Sequence, residues 1–368
     1  MRDLFVEDLN SCFIPETEGI KYAGSKLKII PRILSLLTEQ NLSFESVLDV
    51  FTGTTRVAQA FAQLGFSTTA NDISEWSEVF ATCYLLSSKQ DGYYQELLNH
   101  LNSLEGKPGW FTENYGGTEH TCKRPFQVHN TKKLDAIRDE IEKLQLSWED
   151  KCVLLTSLIY ALDSVDNTLG HYAAYLSKWS PRSYNTMTLK LPRRFYRKQF
   201  CSVLREDAFS AVSRYHDLMY LDPPYGSNNE KMPPSRIRYS AYYHIWKTII
   251  LNDKPKLFGK ANRRIDSRDG TSASVFEEFR RDESGRFIAM NAIDKLIEQA
   301  NCKYILLSYS SGGRATKEEL YDIISRHGHL MKAVEFDYKK NVMSTMSWSK
   351  EWISQAGTHK EYLFLMRK

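Results

Sequence analysis

Ser46-Val-Leu-Asp-Val-Phe51, continuing through Thr52-Gly53-Thr54-Thr55 into Arg56-Val-Ala-Gln-Ala-Phe-Ala-Gln-Leu64, is the stretch that decides the fold. A short apolar run meets a glycine turn, and Val57, Ala60, Phe61 and Leu64 then recur at helical spacing, so the segment is strand, tight turn and helix. Gly65 fits the position just past a helix end, and Phe66-Ser-Thr-Thr-Ala70 makes a second strand finishing at Asn71-Asp72. The unit is a right-handed βαβ crossover.

The same grammar recurs further along. Gln199 to Arg205 makes a strand before Glu206-Asp207, and Asp217 to Leu221 another before Asp222-Pro-Pro-Tyr225. Lys303 to Tyr309 is β-rich, a helix is expected over Lys317 to His327, and strands over Leu330 to Tyr338 and Glu361 to Met366. This alternation predicts an α/β, Rossmann-like doubly wound sheet whose last two strands form an antiparallel, hairpin-like edge. Residues 90–199 break the pattern with helices at about 131–146 and 149–163 and then an irregular basic and aromatic segment, so they are taken as an insertion. The domains expected are therefore 1–89 with 200–368, and the inserted 90–199. A second irregular segment, about 252–286, carries Lys254, Lys256, Lys260, Arg263, Arg264 and Arg268.

Composition narrows the class. The 368 residues, 42% hydrophobic and 26% charged, exclude disordered, collagen-like and coiled-coil chains. A net charge of +4 is only mildly basic, so any polyanion site must come from local clustering. Cysteines 12, 83, 122, 152, 201 and 302 lie far apart with no Cys-x-x-Cys, which disfavours a zinc site or a disulfide framework and suits a reducing cytoplasm. The most apolar stretch, Val153 to Leu162, is about half of what a bilayer span requires. Met1 to Asp8 carries acids where a signal peptide needs an apolar run, so neither export nor membrane anchoring is expected. The histidines, including His327 and His329, show no metal or triad spacing, and no metal is expected.

The glycine turn places backbone N–H groups and a helix N-terminus at the carboxyl edge of the sheet, where open α/β sheets bind nucleotides. It lacks the Gly-Lys-Ser/Thr of a P-loop, and Gly53 alone does not make a dinucleotide fingerprint, so the ligand should be less anionic than a pyrophosphate. Asp72 stands where an acid accepts ribose hydroxyls, although a strand-ending turn accounts for it equally well. Asp222-Pro223-Pro224-Tyr225 is more specific. Its two prolines hold an extended segment at a strand end, with Asp222 as acceptor for an exocyclic amine and the Tyr225 ring as a stacking face. Lys178 to Lys198 contains Lys178, Arg182, Lys190, Arg193, Arg194, Arg197 and Lys198 with no acid, interleaved with Trp179, Tyr184, Phe195 and Tyr196. That pattern is expected to lie against nucleic acid, with a solvated basic loop as the plainer reading; Arg263 and Arg264 form a weaker second group because Asp266 and Asp269 sit among them.

Taken together, Lys21-Tyr-Ala-Gly-Ser-Lys26, Asp49-Val-Phe-Thr-Gly-Thr54, Asn71-Asp72, Glu206-Asp207-Ala-Phe209 and Asp222-Pro-Pro-Tyr225 resemble the ordered motifs of the D12-class DNA adenine-N6 methyltransferases, the group that includes the Dam enzymes. Asn167 to Tyr172 through Trp179, and Lys260 to Asp269, look like stretches of adenine methylases similar to one half of the FokI modification enzyme. Thr54-Thr55 departs from the family, which has a second small residue or glycine there, and Ala23 and Ser25 stand where the N-terminal motif varies.

The resemblance implies S-adenosylmethionine as cofactor, held by Tyr22, Ala23, Gly24, Lys26, Asp49, Phe51, Gly53, Thr54, Asp72, Ile73, Asp207, Ala208 and Asp222. Within that set Asp49 serves the methionine amino end, Asp72 the ribose and Asp207 the adenine. Catalysis is implied for Asp222, Pro223, Pro224 and Tyr225 on an adenine flipped from double-stranded DNA. Residues 1–89 with 200–368 would be the catalytic domain and 90–199 the target-recognition domain. A cytoplasmic, nucleoid-associated modification enzyme with a cognate restriction endonuclease is compatible with this; the oligomeric state and the recognition sequence are left open. Two other readings stay in view: a cytosine-N4 or RNA adenine methyltransferase, where Ser or Asn at 222 would be commoner, and a nucleic-acid-binding module without catalysis.

Overall fold

Val47 and Leu48 are fully buried because their strand lies in the middle of a sheet covered on both faces. The computed structural model describes residues 14–118, 124–226, 238–268, 272–337 and 360–368. Met1 to Asp8, Cys12, Cys122, Asp269 and Tyr338, which figure in the sequence reading, lie outside the described residues.

Helix α1 (Ile30–Glu39) is followed by β1 (Ser46–Asp49), α2 (Arg56–Gln63), β2 (Ser67–Asn71) and α3 (Glu75–Leu85). The inserted region then contributes α4 (Asp91–Ser103), α5 (Val128–Lys143) and α6 (Trp148–Asp163), and the sheet resumes with β3 (Cys201–Leu204) and β4 (His216–Leu221). After α7 (His244–Leu251) and α8 (Ile288–Gln299) come β5 (Cys302–Ser310), α9 (Lys317–His327), β6 (His329–Asp337) and β7 (Lys360–Arg367).

The seven strands lie in the order β3-β2-β1-β4-β5-β7-β6, and only β7 runs antiparallel to its neighbours. The expected antiparallel pair is therefore present, but β7 inserts between β5 and β6 instead of closing a simple hairpin edge. Alternate residues feed two layers. Val47, Leu218, Tyr220, Leu306, Leu363 and Leu365 pack with α1 and α2, while Leu48, Met219, Leu221, Ile305, Leu307 and Phe364 pack with α8 and α9. The chain winds outward from β1 to β3 and then returns to β4, so the strand order reverses between β1 and β4 and leaves a crevice at their carboxyl ends.

The insertion does not form a core of its own. Leu98, Ile137, Leu155, Leu158 and Leu162 share one cluster with Trp76 and Phe80 of α3 and with Ile245, Trp246 and Ile249 of α7. Buried Arg138 on α5 donates to the carbonyls of Ile249 (2.6 Å) and Ile250 (3.1 Å), which satisfies the last turn of α7. Residues around 239–251, assigned by sequence to the catalytic part, thus belong physically to the helical layer as well. Among the described residues, cysteines 83, 152, 201 and 302 are free, and no helix is long and apolar enough to cross a membrane.

Because β7 supplies the pairing edge for two other strands and side chains to both layers, truncation there should be costly. Leu365→Ala, at a fully buried position, is expected to lower stability by about 2–5 kcal/mol. The measurement is a urea midpoint that falls with an unchanged slope; a midpoint equal to the wild type contradicts the placement of β7 in the core.

Candidate active site

The glycine turn is a knot of hydrogen bonds at the crevice. Gly53 has φ +52°, and a Cβ there would sit 3.1 Å from the Tyr22 ring, so the residue serves both the left-handed turn and the close approach of Tyr22. Its N–H donates to Asp72 Oδ2 (3.0 Å), while Asp72 Oδ1 accepts from the Ser74 N–H (3.0 Å) and hydroxyl (2.7 Å). Thr55 adopts φ +64°. A β-branched residue in this region stores strain of order 1–3 kcal/mol, here held by a Gln59 Nε2 bond to Thr55 Oγ1 at 2.8 Å.

Asp49 closes the turn from below. Its Oδ2 accepts from Thr52 Oγ1 (2.8 Å) and the Ala58 N–H (3.2 Å), but its buried Oδ1 has no partner among the described residues. Burial pushes the carboxyl up to about 7. Asn71 ties neighbouring strand ends together, donating to the Val50 carbonyl (3.0 Å) and accepting from the Glu206 N–H (3.2 Å). Beside it, Asp207 caps the short helix Ala208–Ala211 through the Phe209 N–H (2.9 Å).

Across the crevice, Asp222 Oδ1 receives the Tyr225 hydroxyl (2.5 Å) and lies 2.9 Å from the Lys26 ammonium. Lys26 also donates to Glu361 Oε1 (2.7 Å) and contacts the Tyr225 hydroxyl. Burial lifts Asp222 to about 6; Glu361 acts in the same direction and Lys26 opposes both. Burial disfavours the Lys26 charge, yet Asp222 and Glu361 outweigh it and hold the ammonium above its ordinary pKa.

An aromatic stack fixes the N-terminal motif that delivers Lys26. Tyr22 stacks on Tyr243 (4.7 Å between centroids), and Tyr243 stacks on Trp246 (4.2 Å). The Ala23 N–H donates to the Tyr243 hydroxyl at 2.8 Å, and Tyr239 donates back to the Ala23 carbonyl at 3.3 Å. These contacts set the loop through Gly24, whose φ is +81°.

The result is a cavity of about 610 Å³. Its lining includes Tyr22, Ala23, Gly24, Lys26, Asp49, Phe51, Gly53, Thr54, Asp72, Ile73, Asp207, Ala208 and Asp222, together with Pro224 of the Asp222-Pro-Pro-Tyr225 segment. Tyr225 reaches the same cluster through its hydroxyl, and Pro223 is buried behind it. Sequence reasoning did not single out Tyr239, Phe276 and Glu277, which also line the cavity, or Tyr243 and Glu361 behind it. Phe276 meets Phe51 edge-on at 5.2 Å and stacks on Phe209 at 5.6 Å, forming an apolar wall.

The basic residues divide by position. Arg193 pairs with Glu16 (3.1 Å), Arg194 pairs with Asp91 and lies over the Tyr94 ring, Lys198 lies beside Gly65, and Arg197 lies beside Cys201. Arg197 and Lys198 thus lie by the residues that lead into β3 and β2 at the amino edge of the sheet, and none of these four cations lines the cavity. Arg182 is held by Asp166 and by the carbonyls of Asp166 and Thr168 (both 2.9 Å), and Arg264 is 4% exposed between Asp253 and Asp266. Both act first as internal ties. Lys190 is exposed, with its carbonyl bonded to Ser157 on α6 (2.7 Å). Exposed Lys178 and half-buried Arg263 lie on two segments that meet where the Tyr175 hydroxyl donates to the Lys260 carbonyl (3.3 Å). The second segment borders the cavity through Asp266.

Against known proteins, residues 22–323 match the family described as D12 class N6 adenine-specific DNA methyltransferase. The modification methylase StsI of Streptococcus sanguinis is 27% identical over 90% of this chain and 50% of its own length. The type II methyltransferase M.FokI of Planomicrobium okeanokoites is 26% identical over 95% of this chain and 53% of its own. M.NlaIII, a type II methyltransferase of Neisseria lactamica, is 26% identical over 87% of this chain and 92% of its own. The chain spans about half the length of the first two relatives and nearly all of the third. With the match covering most of its residues, the chain belongs to the D12 class of N6 adenine-specific DNA methyltransferases.

Proposed function

We propose that this chain transfers a methyl group from S-adenosylmethionine to N6 of an adenine flipped out of duplex DNA, as the modification component of a restriction–modification system. It would act in the cytoplasm on nucleoid DNA, with a cognate endonuclease acting on the same sites. The observation that carries the reading is the pairing of the Asp222-Pro-Pro-Tyr225 segment with a nucleoside-sized cavity at the strand-order reversal. The residues suit the cofactor: the unpartnered Asp49 Oδ1 matches a cationic amino group, and Asp72 is placed for ribose hydroxyls. When bound, the cofactor supplies an electrophilic methyl group on a cationic sulfur.

The chain's own work is orientation. Asp222 and the Pro223 carbonyl accept the two hydrogens of the exocyclic amine, which turns its lone pair towards the methyl donor. The Tyr225 hydroxyl already donates to Asp222 Oδ1, so the incoming amine competes with it for the carboxylate while the ring offers a face to the base. DNA is proposed to lie along the segments carrying Lys178 and Arg263 at the cavity side, with the helical layer behind them.

Nucleoside analysis of duplex DNA incubated with the protein and S-adenosylmethionine should show N6-methyladenine; N4-methylcytosine, or no methylated base, rejects the reading. In the same assay Asp222→Ala should abolish transfer while leaving cofactor affinity intact, and Tyr225→Ala should slow it by roughly 10- to 150-fold if stacking is lost. Full activity of Asp222→Ala contradicts the mechanism.

Cofactor affinity should depend on pH through Asp49. The carboxyl must be ionised to receive an ammonium, so affinity is fully present above about 7 and declines as pH falls below it. The limit is about tenfold per pH unit. Calorimetry across this range checks it, and Asp49→Asn should bind weakly with a flat profile.

For DNA, Lys178→Glu combined with Arg263→Glu should weaken binding and reduce the salt slope by about 0.9 for each phosphate no longer neutralised. Arg193→Ala should change neither, and the reverse ranking would return the DNA face to the amino edge.

A further inference from the structure

Glu361 is a carboxylate in a register of core residues. It shares its side of β7 with Leu363 and Leu365, is only 4% exposed, and reaches the crevice 335 positions along the chain from Lys26. Its Oε1 accepts from the Lys26 ammonium at 2.7 Å and the Ser308 hydroxyl at 2.8 Å, and lies 3.1 Å from the Tyr225 hydroxyl, whose single proton can go to it or to Asp222. Lys26 and Tyr225 also meet Asp222.

We propose that Glu361 is a positioning residue for the methyl transfer proposed above, acting as the second acceptor that keeps Lys26 and Tyr225 satisfied when the target amine takes their place on Asp222. Without it, the buried ammonium would depend on Asp222 alone, a carboxylate it would then share with the target amine, and a weakened buried pair is strongly unfavourable. With it, the ammonium keeps a carboxylate at 2.7 Å when the amine engages Asp222. Ser308, fully buried on β5, holds the Glu361 carboxylate in place from behind. Several charged or titratable groups face Asp222: Lys26 from the N-terminal loop, Glu361 from β7, Tyr225 and Tyr220 from β4 and its loop, Tyr239 from the segment before α7, and Asp49 from β1. Of these, Glu361 is the one that bonds to Lys26 without being placed at the amine.

The test is single-turnover methylation of DNA that the wild-type chain methylates, followed against pH for Glu361→Gln. The isosteric amide should slow transfer by roughly 10- to 100-fold, as expected for removal of one charge-assisted hydrogen bond, while cofactor affinity stays within about threefold. The acid limb of the rate profile should also move to lower pH, because the Glu361 charge, which adds to burial in holding Asp222 up, is gone. Ser308→Ala, which keeps every charge, should slow transfer by roughly 3- to 10-fold and stands in as the test if Glu361→Gln does not fold. A wild-type rate in Glu361→Gln, a slowed rate with an unmoved acid limb, or an unfolded Glu361→Gln beside a fully active Ser308→Ala overturns the proposal. A wild-type chain that methylates no DNA overturns the underlying reading as well, and is seen before any variant is made.

Discussion

The Lys26 ammonium, buried between Asp222 and Glu361, is the contact on which the site depends. It joins the N-terminal loop, the segment after β4 and the antiparallel strand β7, so the crevice is complete only when the first and last described parts of the sheet are both in place. The local dielectric makes this cluster demanding: each charge gave up water on burial, and its remaining stabilisation comes from the others. That is why the loop delivering Lys26 is held so firmly, by aromatic stacking of Tyr22 on Tyr243 and by both backbone polar groups of Ala23 bonding to tyrosine hydroxyls. A lysine on a loosely held loop could not be kept in register with two carboxylates. The helical layer contributes to chemistry in this sense, since Tyr243 and Trp246 extend from its core.

Much of the architecture was legible in the sequence because parallel strands announce themselves twice, by an apolar run and by the turn that follows. Ser46 to Phe51 with its glycine turn, the carboxylates after β2, β3 and β4, and the helix over Lys317 to His327 all follow from local pattern. What local pattern cannot carry is strand order. β7 is as apolar as a central strand, and that was the available hint that it inserts between β5 and β6 instead of lying outside them. Glu361 was legible in principle as a charge in phase with Leu363 and Leu365. Tyr239, Tyr243 and Phe276 gave no such signal, since a tyrosine or phenylalanine that lines a cavity looks the same in sequence as one that fills a core.

The basic run shows what composition along a chain leaves out. Seven cations without an acid between residues 178 and 198 look like one surface, yet the two ends of the run meet different parts of the fold. Its beginning borders the segment that carries Lys260, while its end must reach Cys201 at the start of β3, because β3 is parallel to β2 and therefore begins at the amino edge. Topology thus divides a compositional unit. It also supplies the missing acids, Glu16, Asp91 and Asp166, from distant parts of the chain. Charge read along a sequence measures only local balance; the folded surface sets the field that a polyanion meets.

A further asymmetry links strain, charge and ligand. Asp49, Asp72 and Asp222 crowd the cavity, and burial has raised the pKa of each, so the site holds its carboxylates under conditions that disfavour their charge. Thr55 adds backbone strain at the same turn. The electrostatic cost would be relieved by a cation that restores the anionic forms, not by a phosphate, which would add to the repulsion. The absence of a P-loop lysine at the turn and the excess of carboxylates around it are therefore two expressions of one selection rule. The proposed cofactor, a nucleoside bearing positive charge, meets that rule, and the strained Thr55 sits in the turn at the same end of β1.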